Sequence, residues 1–222
     1  EVILLRILHY RKYMTKRGIL DKKKLSALSQ DPAYSLVYNF SIKEAQPILK
    51  EIKNRRKTDR IRISLFNYLI VKTVATLEMF LMNEAYQLTK ESPRKAKKLF
   101  SSVLVGVPLA DQVVSTYSFM QLNDVKQIFS VLLGNNFLNQ IKEESKQNST
   151  YYHIEPVHIN QSKFLHKNWD NIFKIFDYRI AITHHGKTLK GSYTDIRDLV
   201  GGVIQFMLCM TLMIHTEEKE YS

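Results

Sequence analysis

A chain of 222 residues with 45% hydrophobic and 24% charged residues suits one domain or a domain with an extension, and this composition excludes wholesale disorder. Seven glycines and five prolines are too few for a turn-dense sheet protein, while stretches rich in Lys, Glu, Leu, Ile and Phe favour helices, so an all-α fold is expected. The net charge of +12 is uneven: residues 1–110 hold 22 Lys and Arg against 9 Asp and Glu, and the rest is nearly neutral.

The first clear pattern is Val2 to Arg17, whose apolar Val2, Leu5, Leu8 and Tyr13 alternate with Arg6, Arg11, Lys12, Lys16 and Arg17 ahead of Gly18. It reads as a basic amphipathic helix. Asp31-Pro32 breaks the pattern, and Ser41-Ile42-Lys43-Glu44 has capping-box spacing before a helix towards Arg55, with a restart or kink required at Pro47. Lys53 to Arg60 is a charged hinge. A soft boundary near Thr58 therefore separates a basic helical N-terminal extension, residues 1–58, from a helical domain, residues 59–222.

Ile61 to Leu88 shows the longest helical period, through Leu65, Leu69, Val74, Leu77, Phe80, Leu81 and Leu88, with no Gly or Pro inside. Ser92-Pro93 starts a further helix through the Lys-rich stretch. Val103 to Leu109 is uncharged but interrupted by Gly106 and Pro108, and reads as a buried turn. Asn123 is placed to cap a helix that stops at Gly134, and Lys142 to Thr150 reads as an exposed polar connection.

Asn168 is placed to cap a helix carrying Trp169, Ile172, Phe173, Phe176 and Ile180, which ends at His184-His185-Gly186. Thr194 or Asp195 then opens a last helix, apolar nearly all round from Leu199 to Ile214. That run is shorter than the roughly 18 to 20 residues of a membrane span, so a central buried helix is expected rather than a membrane segment. Cys209 is the one cysteine, which excludes an intramolecular disulfide or thiolate cluster and points to a reducing compartment, the cytoplasm. The start at Glu1 shows no secretion signal.

No glycine-rich phosphate loop, His-Glu-x-x-His pair or nucleophile elbow is present, so neither a cofactor nor a metal is expected. His153 and His158 near Glu155 lack a recognised ligand spacing and read as surface histidines. Met207, Met210 and Met213 read as core. Tyr10, Tyr13, Tyr34 and Tyr38 suit stacking on bases or packing in a core. The basic clusters at Arg11, Lys12, Lys16 and Arg17, at Arg55, Arg56 and Lys57, and at Lys97 and Lys98 suit RNA, a solvated face being the alternative.

One constellation can do chemistry. Arg179 is followed by His184 and His185 at the predicted helix end. An imidazole titrates near neutral pH and can move a proton, while a guanidinium stays charged and grips a phosphate bidentately. Together they suit metal-free RNA cleavage, in which the ribose 2′-hydroxyl attacks the adjacent phosphorus. On a straight helix five residues turn through about 500°, leaving the two side chains some 140° apart. The alternatives are a histidine favoured by the helix dipole and an arginine ion-paired with Asp177 or a neighbouring helix.

The surrounding pattern resembles the HEPN superfamily (higher eukaryotes and prokaryotes nucleotide-binding domains), many of whose members are metal-independent RNases. Val74-Ala75-Thr76-Leu77-Glu78-Met79-Phe80-Leu81 is similar to the family's long first helix, the Trp169 to His184 helix carries its Arg-x4-His motif, and Gly186 with Thr188 to Phe206 is similar to its turn and closing helix. The resemblance spans about residues 60–215. It implies a bundle of four or more helices, a homodimer with an isologous groove, and Arg179 with His184 or His185 as the catalytic groups. It also implies an RNA substrate and leaves open an antitoxin or nucleotidyltransferase as a further partner. The chain departs from the family at Ile180, where Asn, Asp or His is common.

Overall fold

In the computed structural model, which describes residues 32–147 and 173–217, the periodic apolar segments form helices, and no strand occurs among the described residues. In chain order these are α1 (Pro32–Asn39), a π turn (Phe40–Ala45), α2 (Gln46–Asn54), α3 (Arg60–Glu91), α4 (Pro93–Ala96), a 3-10 turn (Lys97–Leu99), α5 (Leu109–Thr116), α6 (Leu122–Leu132), α7 (Phe137–Gln147), α8 (Lys174–Thr183) and α9 (Tyr193–Glu217). The expectation of an all-α protein holds. The basic helix at Val2 to Arg17, the Asn168 cap, and His153 with His158 lie outside the described residues.

Helix α3 has 32 residues, about 48 Å of axis, and packs against α1, α2, α4, α5, α6, α8 and α9. Its buried face comprises Phe66, Leu69, Ile70, Val74, Leu77, Phe80, Leu81, Ala85 and Leu88, the stripe that a 3.6-residue period predicts. It is long and apolar enough to cross a membrane, but half of its most apolar window is covered by the protein itself. Helix α9 is the second axis. Val200 through Thr211 are buried without interruption, with Met207, Met210 and Met213 in the core as expected. Thr73, Thr76 and Thr211 sit buried in these helices because each hydroxyl donates to the carbonyl four residues back.

Helix α2 ends at Asn54 and α3 begins at Arg60, with Arg55–Asp59 between them. Ala33, Val37, Phe40, Ala45, Leu49 and Ile52, before this segment, belong to the same hydrophobic cluster as α3 and α9. Tyr34 and Tyr38 stack at 6.5 Å between ring centroids, and burial pushes the Tyr34 phenol above its ordinary pKa.

Several local expectations are corrected. Ser41 does not cap a helix: it lies in the π turn, where Gln46 N–H reaches back to Ser41 O. The wider turn offers Pro47 a way into a continuous helical path, because proline has no N–H and its ring crowds the carbonyl four residues before it. Glu44 instead pairs with Lys72 at 3.1 Å. Gln121, not Asn123, precedes α6, and makes no side-chain cap. Lys142 to Gln147 is helix rather than connection, because Phe137 and Ile141 anchor α7 in the core. The Val103–Leu109 segment is not a buried turn: Val103, Leu104, Val105 and Val107 are all exposed.

Candidate functional site

Helix α8 lies along α3 and buries Ile175 and Phe176. Its end is set by the C-cap His184, whose N–H donates to Ile180 O at 2.9 Å, and by Gly186, whose φ of +59° is the left-handed conformation expected just past a helix. Lys187 N–H then turns back to Ala181 O at 3.0 Å.

Two side chains of α3 hold the turn that follows. Asn67 Nδ2 donates to Leu189 O at 3.0 Å and Leu189 N–H donates to Asn67 Oδ1 at 2.9 Å. Arg62, buried in spite of its charge, donates from Nη2 to Gly191 O at 3.3 Å and from Nη1 to Arg55 O at 3.1 Å. One guanidinium thus clips the Arg55–Asp59 loop to the Gly186–Ser192 turn, where Gly191 lies 129 residues from Arg62 in sequence. Gly191 lies so close to Phe66 that an added Cβ would stand 2.7 Å from its Cζ.

Ser192, rather than Thr194 or Asp195, caps α9. Asp195 N–H donates to Ser192 Oγ at 3.1 Å and Ser192 N–H donates to Asp195 Oδ2 at 2.8 Å, a reciprocal capping box. The Ser192 hydroxyl and N–H hold the Asp195 carboxyl below its ordinary pKa, with a smaller contribution from the Lys57 ammonium.

The chemical groups lie on the outside of this frame. His184 and His185 are exposed and Arg179 is half-buried. Among the described residues no side-chain hydrogen bond joins Arg179 to His184, and Arg179 makes no ion pair, so the Asp177 alternative is not realised there. Beside them Tyr178 and Ile180 are exposed apolar residues.

Arg56 and Lys57 are exposed on the clipped loop. Arg55 is engaged by Glu51 and Asp59, its Nη2 lying 2.6 Å from Glu51 and its Nη1 3.0 Å from Asp59. Lys97 and Lys98 lie beyond the other end of α3 and are not brought to this site. Arg11, Lys12, Lys16 and Arg17 lie outside the described residues. Two cations missed in the sequence, Lys187 and Lys190, are exposed on the turn itself; the signal was the absence of any acid from Arg179 to Ser192. His184, His185, Lys187, Lys190, Arg56 and Lys57 therefore belong to two loops held together by Arg62.

Searches against protein-family models, curated proteins and solved structures found no match to this chain.

Proposed function

We propose that the protein is a metal-independent, cytoplasmic endoribonuclease of the HEPN type, acting as a homodimer in a toxin, antiviral-defence or RNA-processing setting. The observation that carries this reading is the Arg62 clip, which joins the loop of Arg56 and Lys57 to the turn behind His184. A polyanion held by those cations has its backbone next to an imidazole. In the reaction the 2′-oxygen bonds to phosphorus as the bond from phosphorus to the 5′-oxygen breaks. A histidine takes the 2′-hydroxyl proton, a second histidinium protonates the leaving 5′-oxygen, and Arg179 faces the phosphoryl charge. A two-fold pairing supplies both histidines, and exposed Tyr178 and Ile180 offer apolar surface for the second copy.

Purified protein incubated with RNA and EDTA is expected to release 2′,3′-cyclic phosphate ends, detected by mass spectrometry, with Arg179→Ala and His184→Ala inactive. Absence of cleavage, or full activity in both variants, overturns the proposal. That no side-chain hydrogen bond joins Arg179 to His184 among the described residues favours, as a second reading, a non-catalytic module that binds nucleic acid, nucleotide or a protein partner. Salt-sensitive RNA binding without cleavage selects the nucleic-acid form of it.

A further inference from the structure

Between Ser92 and Ala110 the chain has no acidic residue and two blocks of different character: Arg94, Lys95, Lys97 and Lys98, then the uncharged run from Leu99 to Ala110. In the second block Val103, Leu104, Val105 and Val107 are exposed, Val105 completely and Leu104 by 64%. Surface turns are usually built from Gly, Pro, Asn, Asp and Ser, and a contiguous apolar patch marks an interaction site.

The loop is held from beneath by a buried amide. Gln112 Oε1 accepts from Leu104 N–H at 3.0 Å, and Gln112 Nε2 donates to Leu104 O at 3.0 Å and Val107 O at 2.8 Å. Gly106, with φ of +81°, makes the reversal that these bonds enclose. The aliphatic side chains are thus presented by a backbone that already has internal partners for three of its polar groups. That lowers the cost of moving the tip into an apolar medium.

The cations are near. Tyr117, directly after α5, donates its hydroxyl to Leu99 O at 2.7 Å, so the C-terminal end of α5 meets the 3-10 turn while its N-terminal end carries the loop. With eight residues, α5 is about 12 Å long. Lys95 Nζ donates to Leu132 O at 3.2 Å, whereas Arg94, Lys97 and Lys98 extend as exposed side chains.

We propose that Val103 to Val107 is a membrane-docking loop, which inserts its aliphatic tip into the interfacial zone of an anionic bilayer while Arg94, Lys97 and Lys98 bind lipid phosphates. Charge selects this occupant. A second copy docked two-fold on the loop would bring the same cations towards one another, whereas an anionic leaflet attracts all of them. The proposal is independent of RNA cleavage and gives Lys97 and Lys98 to lipid rather than to RNA.

The test is flotation of the full chain with phosphatidylcholine vesicles, with and without phosphatidylserine. Flotation is expected only with phosphatidylserine. Leu104→Ser/Val105→Ser is expected to lower partition at least about tenfold, and Lys97→Ala/Lys98→Ala roughly 25-fold. Both are surface changes, and equal thermal midpoints establish that the variants are folded. The proposal is overturned if the wild-type chain does not float, or if the loop variant floats equally well. It is also overturned if the loop variant dissolves a dimer without changing flotation, or if the lysine variant loses RNA binding while flotation is intact.

Discussion

Asn67 grips the backbone of Leu189 by both its polar groups, accepting from N–H at 2.9 Å and donating to C=O at 3.0 Å. The side chain replaces a peptide neighbour and fixes an irregular turn that carries Lys187 and Lys190 and begins at the histidines. Asn67 Nδ2 also donates to Ile63 O on its own helix at 2.7 Å, which holds the amide in this orientation.

Asn67→Ala leaves the Leu189 groups without this partner and is expected to cost about 2 kcal/mol, since an abandoned, partly buried donor or acceptor costs more than a mean hydrogen bond. Urea unfolding measures it. Asn67→Asp preserves the acceptor but sets a carboxylate oxygen against Leu189 O, so it is expected to be no milder. A loss below about 0.5 kcal/mol in the alanine variant would place it among ordinary surface changes and remove the clamp from the account.

Gly191 and Phe66 make a second prediction. A methyl group at residue 191 would meet Phe66 Cζ at 2.7 Å and Cε2 at 2.9 Å, and Phe66 is itself buried. Gly191→Ala is therefore expected to destabilise by about 1 to 3 kcal/mol through overpacking. Phe66→Leu frees that space, so the double variant should be less destabilised than the sum of the two single variants in a double-mutant cycle. Strict additivity would show that the ring moves aside at no cost.

These residues also show how far the sequence could be read. The α3 stripe and the stops at Gly134 and Gly186 depend on residues near in sequence, so periodicity and glycine chemistry reveal them. Asn67 and Arg62 act on partners 122 and 129 residues away, and no local pattern encodes such pairing. The exposure of the Val103–Leu109 loop is not legible in the sequence, because an uncharged run looks the same whether buried or exposed. Its exposure depends on tertiary packing, and the buried Gln112 that holds it is a polar residue with no motif. At α9 the true box, Ser192 with Asp195, was legible by its spacing, but neighbouring Thr194 and Asp195 offered equally plausible caps. At the candidate site the sequence placed Arg179, His184 and His185 at a helix end, while the bridge to Arg56 and Lys57 became visible only in three dimensions.

The capping box predicts a pH response. Asp195 has a folded pKa below its unfolded value, first because of the Ser192 hydroxyl and then its N–H. A depressed carboxyl contributes stability that is fully present above its unfolded pKa, about 4, and is lost as pH falls through the folded pKa. The thermal midpoint should therefore decline below about pH 4, and Asp195→Asn should flatten that decline while being less stable at neutral pH. Ser192→Ala should cost about 1 kcal/mol at pH 7, the usual value for losing a cap. An unchanged acid limb in Asp195→Asn would assign the decline to other carboxylates.

The proposed two-fold site makes the most demanding prediction, because it concerns how copies combine. If one histidine acts as base and its counterpart as acid, a heterodimer of wild-type and His184→Ala chains lacks one proton-transfer group. Positioned acid-base catalysis contributes about 100-fold to 10,000-fold, so such a heterodimer is expected to be nearly inactive. When the two chains are co-refolded at constant total concentration, cleavage should fall with the square of the wild-type fraction. A linear fall would mean that each copy works alone and would sink the shared-groove mechanism even if cleavage itself is real. The exposed position of His184 makes its alanine variant a surface change, expected to alter stability by no more than about 0.5 kcal/mol. Matched thermal midpoints would therefore attribute the lost activity to chemistry rather than unfolding.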